Sequence, residues 1–177
     1  MRTRPKLIGL LVVVAGACLQ LRAQPLATSD AACDVTVPNG IVAGTSERQD
    51  RSYGNGLLSV GPFGLWPDGT VVFKPGGAGF ITRDGGLGMK FGWTRGVRGK
   101  LDVSGRRLDG VAPPLVFETN NGYGDVGFQA SYLIFSTPGC WEVTAQVGER
   151  EDSRIAFTVK VVKLGDGPAW RRESANR

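Results

Sequence analysis

The sequence predicts an all-β fold, one domain built as a two-sheet antiparallel β-sandwich of about seven strands. Glycine is abundant, with 27 residues, and seven Asn-Gly or Asp-Gly dipeptides punctuate the chain from Asn39-Gly40 to Asp166-Gly167. Such pairs take positive φ readily and favour the tight turns that join antiparallel strands. Between them lie short β-prone runs, and the last third alternates apolar with polar residues. No window of helical length keeps an apolar face without an intervening Gly or Pro.

Residues 1–23 read as a secretory signal. Arg2, Arg4 and Lys6 form a positive head, residues 7–19 an apolar run, and Ala23 a small residue at the cut. The run is shorter than the roughly 20 residues a transmembrane helix needs. Its removal takes away four of the 21 basic residues and none of the 16 acidic ones, leaving 17 against 16 and a net charge of +1 in place of +5. The basic balance belongs to the export segment. Val14-Ala15-Gly16-Ala17-Cys18 gives a second reading, a lipobox whose Cys18 would be lipidated. The expected location is exported, periplasmic or secreted, with a lipid anchor as the alternative.

Residues 24–50 are rich in Ala, Thr, Ser, Asp and Arg and show little alternation, which predicts an extended N-terminal arm. The sandwich follows over residues 51–164. Its first strands are expected at 57–60, 70–73, 87–93 and 100–103, each closed by a Gly-containing turn. Phe128, Ala130, Tyr132 and Ile134 then share one face against Gln129, Ser131 and Leu133. Beyond Thr137-Pro138-Gly139, Trp141, Val143, Ala145 and Val147 alternate with Glu142, Thr144 and Gln146. A charged turn leads to Ile155, Phe157, Val159 and Val161. Three such strands form a meander whose apolar face requires a second sheet. Residues 165–177 lose the pattern and are expected to be a mobile tail.

With Cys18 set aside, Cys33 and Cys140 remain. An even pair in an oxidising compartment reads as a disulfide. Closing about 107 residues, it is worth on the order of 4 kcal/mol at best by chain entropy. The alternative is two unpaired thiols, one in the arm and one in the core. No C-x-x-C spacing supports a dithiol redox site.

The run Phe135-Ser136-Thr137-Pro138-Gly139-Cys140-Trp141-Glu142-Val143-Thr144 resembles a signature of uncharacterised exported bacterial proteins and lipoproteins. Gly105-Arg106-Arg107-Leu108-Asp109-Gly110 and Gly64-Leu65-Trp66-Pro67-Asp68-Gly69 resemble the same group, and the similarity runs from about Cys33 to Val162. The C-terminal part is similar to immunoglobulin-like sandwiches, where a Pro-Gly corner leads into a strand with a core aromatic. The resemblance implies fold and export. It implies no activity.

Histidine is absent. That removes Ser-His-Asp and Cys-His catalysis and imidazole-based metal sites. There is no Ser-x-x-Lys and no Walker loop. Gly122-Tyr123-Gly124-Asp125-Val126-Gly127 matches G-x-G-x-x-G, yet an alternating, aromatic-rich segment follows where a helix would have to open, so a loop between strands is expected. Asp102, Asp109, Glu118, Asp125 and Glu142 could serve a carboxylate-based glycoside hydrolase, but no spacing selects a pair.

Two features could make a ligand surface. One is the basic segment Arg95, Arg98, Lys100, Arg106 and Arg107 beside Trp93, which could hold an anion by cation–π contacts and forked hydrogen bonds. The other is an exposed indole, Trp66 or Trp93, offered to a sugar ring; Trp141 is expected in the core and Trp170 in the tail. The expected function is therefore an exported, non-catalytic binding module of the cell envelope with no cofactor and no metal. Its candidate partners are an envelope protein or a cell-wall carbohydrate, the latter making it a carbohydrate-binding domain. No nucleic acid is expected, and membrane only if Cys18 is lipidated.

Overall fold

In a computed structural model of the chain, residues 33–61 and 68–165 are described. The segment expected to be a secretory signal, with Cys18, together with Trp66 and the expected tail with Trp170, lies outside the described residues. The described chain is all-β, with ten strands: β1 (Tyr53–Gly54), β2 (Leu58–Val60), β3 (Thr70–Phe73), β4 (Phe80–Ile81), β5 (Leu87–Arg95), β6 (Leu101–Arg107), β7 (Val116–Thr119), β8 (Gly127–Phe135), β9 (Gly139–Val147) and β10 (Arg150–Lys163). Seven of them match the seven expected runs. The three others, β1, β4 and β7, are two to four residues long.

The strands form two sheets. One runs β1-β2-β5-β8-β7, with β4 also paired to β5, and the other runs β3-β10-β9-β6. Every pairing is antiparallel except β3 with β10, where Val71 lies beside Val161 and Phe73 beside Lys163. The two sheets pack face to face as a single β-sandwich. Leu87, Met89, Phe91, Trp93, Leu133 and Phe135 from one sheet meet Val71, Leu101, Trp141, Val143, Phe157 and Val159 from the other in one continuous core.

Aromatic rings carry the inter-sheet contact. Trp93 lies 6.3 Å from Phe157, and Phe135 meets Trp141 edge-to-face at 5.5 Å. Both indoles are fully buried and both satisfy their N–H: Trp93 Nε1 donates to Ser131 Oγ (2.8 Å) and Trp141 Nε1 to the Thr137 carbonyl (3.0 Å). Truncating an aromatic at such a site typically costs about 3–5 kcal/mol.

The Trp93 bond fits the face of β8 that turns inward, which also buries Leu133 and Phe135. Alternation separates Phe128, Ala130, Tyr132 and Ile134 from Gln129, Ser131 and Leu133, and it is the second, more polar set that faces the core with Phe135. The more apolar set lies on the outer face. There Phe80 stacks edge-to-face on Tyr132 at 5.2 Å and covers Gly88, where a Cβ would come within 2.2 Å of the Phe80 ring.

The described part of the arm is well anchored. Thr36 donates its backbone N–H to the Thr158 carbonyl, and its hydroxyl accepts from the Thr158 N–H. These bonds occupy the side of β10 that β3, pairing from Lys160 onward, does not reach. Asn39 donates to the Gly54 carbonyl and accepts from the Ile41 and Gly54 N–H groups, while Ala43 donates to Ser59 Oγ. Cys33 is joined to Cys140 by a disulfide, with Cα atoms 5.4 Å apart. Trp141 points into the core, so its neighbour Cys140 faces outward, and the bond staples the arm across the outside of the four-stranded sheet.

Replacing both cysteines (Cys33→Ser with Cys140→Ser) is expected to lower stability by about 2–4 kcal/mol, because the bond closes a long loop. Chemical denaturation of the two proteins would show it as a lower midpoint. An unchanged midpoint would mean that the Thr36 and Asn39 hydrogen bonds hold the arm by themselves.

Candidate functional site

The basic segment does not form one patch. β6 separates Lys100 from Arg106 and Arg107 by about 20 Å of extended chain, placing them at opposite ends of the sandwich. Arg106 is exposed on the outer face and pairs with Glu142 on the neighbouring strand (2.9 Å). Arg107, on the inward side, is committed to its own turn. Its guanidinium bonds Asp109 at 2.6 Å and Thr137 Oγ1 at 3.3 Å, wrapping Gly139 so closely that a Cβ there would meet Arg107 Nε at 2.6 Å. Trp93 has none of its surface exposed, so its face is not offered to a ligand. The expectation of Trp93, Arg106 and Arg107 as one ligand surface is thus corrected by strand geometry. Trp66 lies outside the described residues.

Arg95 belongs to a different setting. It ends the inward row of β5 after Trp93, at the mouth of the core, and is only 3% exposed. One Nη donates to the Gly99 carbonyl (2.6 Å) and the other to the Gly124 carbonyl. The side chain thereby ties the β5–β6 turn to the β7–β8 loop. The same two loops are joined by the Gly99 N–H donating to the Asp125 carbonyl (2.8 Å) and by the exposed Arg98–Asp125 ion pair (2.9 Å). Arg95 Nε is buried and has no partner among the described residues.

Around this clamp lies a groove of about 340 Å³, at the lower end of the range for small-molecule sites. Arg95, Lys100, Asn120, Asn121, Tyr123 and Gln129 supply its chemically distinctive lining. Gln129 reaches it from the inward face of β8, its amide donating to Thr119 Oγ1 (2.7 Å). Beside the groove the β7–β8 loop and the start of β8 expose three apolar side chains, Tyr123 at 38%, Val126 at 44% and Phe128 at 51%, with the two rings edge-to-face at 6.4 Å. Gly122 to Gly127 is a loop running into strand β8, and Gly122 adopts φ 100° with open space around it.

The sequence reading missed Asn120, Asn121, Tyr123 and Phe128. The available signal was a polar, Gly-rich loop of seven residues between two strands, placed where a rigid scaffold usually carries recognition. A second groove, near 390 Å³, runs along β6 past Asp102, Ser104, Thr144 and Arg154, and among the described residues lining it no buried side-chain polar atom lacks a partner. Four of the five candidate carboxylates sit in ion pairs: Asp102 with Lys100, Asp109 with Arg107, Asp125 with Arg98 and Glu142 with Arg106. Among the described residues no cluster of three Cys, Asp or Glu side chains is placed to hold a metal ion.

Asp109 titrates low. Partial burial is the largest influence and pushes its pKa up, but the Arg107 hydrogen bond, the Cys140 N–H and the Arg107 charge together outweigh it. Its folded value therefore lies below the ordinary 3.8, so its contribution to stability is complete above that pH and is lost as pH falls through the folded value. Asp109→Asn is expected to cost about 1 kcal/mol at neutral pH. The gap from the parent protein should close as denaturation is repeated in increasingly acid buffer; a pH-independent gap would assign the loss to packing. Arg95→Met should loosen the loop end alone, speeding amide exchange at Gly99 and residues 120–126 by about tenfold while β9 and β10 stay protected. Compared with protein-family models and with curated proteins, the sequence matches none of them.

Proposed function

We infer that the protein is an exported, non-catalytic binding module of the cell envelope, and that it makes contact through the loop end formed by the β5–β6 turn and the β7–β8 loop. The observation that carries this reading is the joint exposure of Tyr123, Val126 and Phe128 beside a groove whose walls are clamped by a buried arginine. Clustered exposed apolar side chains with a polar rim are what contact surfaces present. The clamp holds the loops in one arrangement before binding, which reduces the ordering cost of association.

Export is supported by the signal-like segment and fits the Cys33–Cys140 disulfide, since such bonds persist in oxidising compartments. The immunoglobulin-like reading of the sandwich, with its likeness to exported proteins and lipoproteins, rests on the segment around Cys140 and Trp141. A lipid anchor at Cys18 is the alternative to release. The carbohydrate reading survives in changed form, since Tyr123 now supplies the exposed ring beside uncommitted amides.

Retention of the purified protein on isolated cell envelopes tests the reading. The pair Tyr123→Ser and Phe128→Ser should reduce retention by about tenfold, with an unchanged unfolding midpoint. Val111→Ser serves as the control, because Val111 is fully exposed beyond the far end of β6. Retention unaffected by the loop pair, or lowered as much by Val111→Ser, would overturn the assignment of the loop end.

A further inference from the structure

We propose that the loop-end groove binds a small, hydroxylated ligand bearing one carboxylate, the chemistry of an acidic sugar such as a uronic acid. The proposal rests on the loop end being the contact surface and adds what that surface recognises.

Charge comes first. Three ionised side chains line the groove, Arg95, Lys100 and Asp125, and two of them have ion-pair partners outside its lining: Asp102 for Lys100 and Arg98 for Asp125. Asp125 is held by Arg98 at 2.9 Å and Asp102 lies 3.8 Å from Lys100, so both carboxylates are already matched by exposed cations. The remaining positive charge is that of Arg95. It is the buried one, and its acceptors are the backbone carbonyls of Gly99 and Gly124 with no carboxylate among them. A buried cation without an anion is costly, and carbonyl dipoles offset only part of that cost. A guanidinium has five N–H donors; the clamp uses two, and the Nε–H has no partner among the described residues. Tying the loops together therefore does not account for the whole side chain. A carboxylate entering the groove would neutralise it in a region of reduced dielectric.

The rest of the lining suits hydroxyl groups. The asparagines of the other described turns are consumed by the chain: Asn39 bonds Gly54 and Ile41, and Asn55 bonds Leu57, Leu58 and the carbonyls of Asp152 and Arg154. Asn120 and Asn121, both exposed, make no side-chain hydrogen bond within the described residues. Each amide offers a donor and an acceptor, as each sugar hydroxyl does. Tyr123 adds an aromatic surface beside them, leaning on Phe128. An acidic peptide shares the carboxylate, but an extended peptide gains its affinity from main-chain pairing with a strand edge, and this groove is walled chiefly by loops.

The test uses the folded, disulfide-intact protein and titration calorimetry with four probes: glucuronate, glucose, acetate and an acidic dipeptide. Glucuronate is expected to bind at least about tenfold more tightly than each of the others, and less tightly as salt is raised. Because Arg95 also orders the loops, the exposed variants carry the mutational arm. Asn120→Ala with Asn121→Ala, and separately Tyr123→Phe and Tyr123→Ala, keep the fold; the asparagine pair and Tyr123→Ala should each weaken glucuronate by about fivefold or more. Equal affinity for glucose and glucuronate, no glucuronate binding, indifference to the asparagine pair and Tyr123→Ala, or tighter binding of the dipeptide would each overturn the proposal. Envelope retention separates the two readings. Retention that depends on Tyr123 and Phe128 but is untouched by glucuronate sinks the acidic-sugar ligand and leaves the contact surface standing.

Discussion

The structure depends on closing two sheets over a shared row of aromatic rings. Trp93 against Phe157 and Phe135 against Trp141 bridge the interface, and each indole must place a polar N–H inside an apolar core. The two solutions differ and both propagate. Trp141 reaches the Thr137 carbonyl, which ties the Pro-Gly corner to the strand it opens. Trp93 reaches Ser131 on the inward face of β8, the face that also places Gln129 at the mouth of the core. The polar character of the loop end follows from that orientation, because Arg95 and Gln129 carry the last inward side chains of adjacent strands, Gly127 opposite Arg95 having none.

Around this core the chain manages its edges. β10, at fourteen residues, is too long for its parallel partner β3 to cover, and Thr36 of the arm fills part of the gap. The disulfide holds that arm in place from the outside. At the other end of the same strand a bulge between Arg150 and Ile155 is stitched by Ser153, which accepts from the Val147 N–H and donates to the Arg150 carbonyl. Asn55 reaches across from the β1–β2 turn to the carbonyls on either side of Ser153. Arm and turn thus act as clasps between the sheets, supplementing the hydrophobic contact with backbone bonds that would otherwise go to water.

Much of the fold was legible because its long strands alternate. β9 and β10 present Trp141, Val143, Ala145, Ile155, Phe157 and Val159 inward as their spacing implies. β1 and β4 were not legible, since two-residue strands carry no period, and β7 follows Pro113-Pro114 with no alternation of its own. The site was harder to read for a physical reason. Arg95, Arg98, Lys100, Arg106 and Arg107 are neighbours in sequence, but an extended strand of seven residues carries the last two to the far end, and alternation turns them to opposite faces. Charge clustered along a chain becomes a surface patch only when the chain turns back on itself. Trp93 failed as a ligand platform for a similar reason: its inward alternation with Phe91 and Met89 was already core patterning.

The same logic explains why, among the described residues, the one buried side-chain polar atom without a partner lies at the loop end. On the outer face of the four-stranded sheet Arg106 and Glu142 satisfy each other, and the arm occupies the ground near Thr158 and Cys140. At the far end Arg107 is consumed by Asp109 and Thr137. Arg95 is only partly consumed. Holding two loops requires a rigid, multidentate cation that reaches carbonyls on both, and arginine provides it. The requirement is geometric, whereas the charge that comes with the fork has no carboxylate partner among the described residues. A lysine could match the charge but not the two-loop reach, and an amide could match part of the reach without the charge. Choosing a guanidinium for the clamp therefore leaves a positive, partly unsatisfied group under a polar groove, whose lining includes two asparagines, Asn120 and Asn121, with no side-chain hydrogen bond among the described residues.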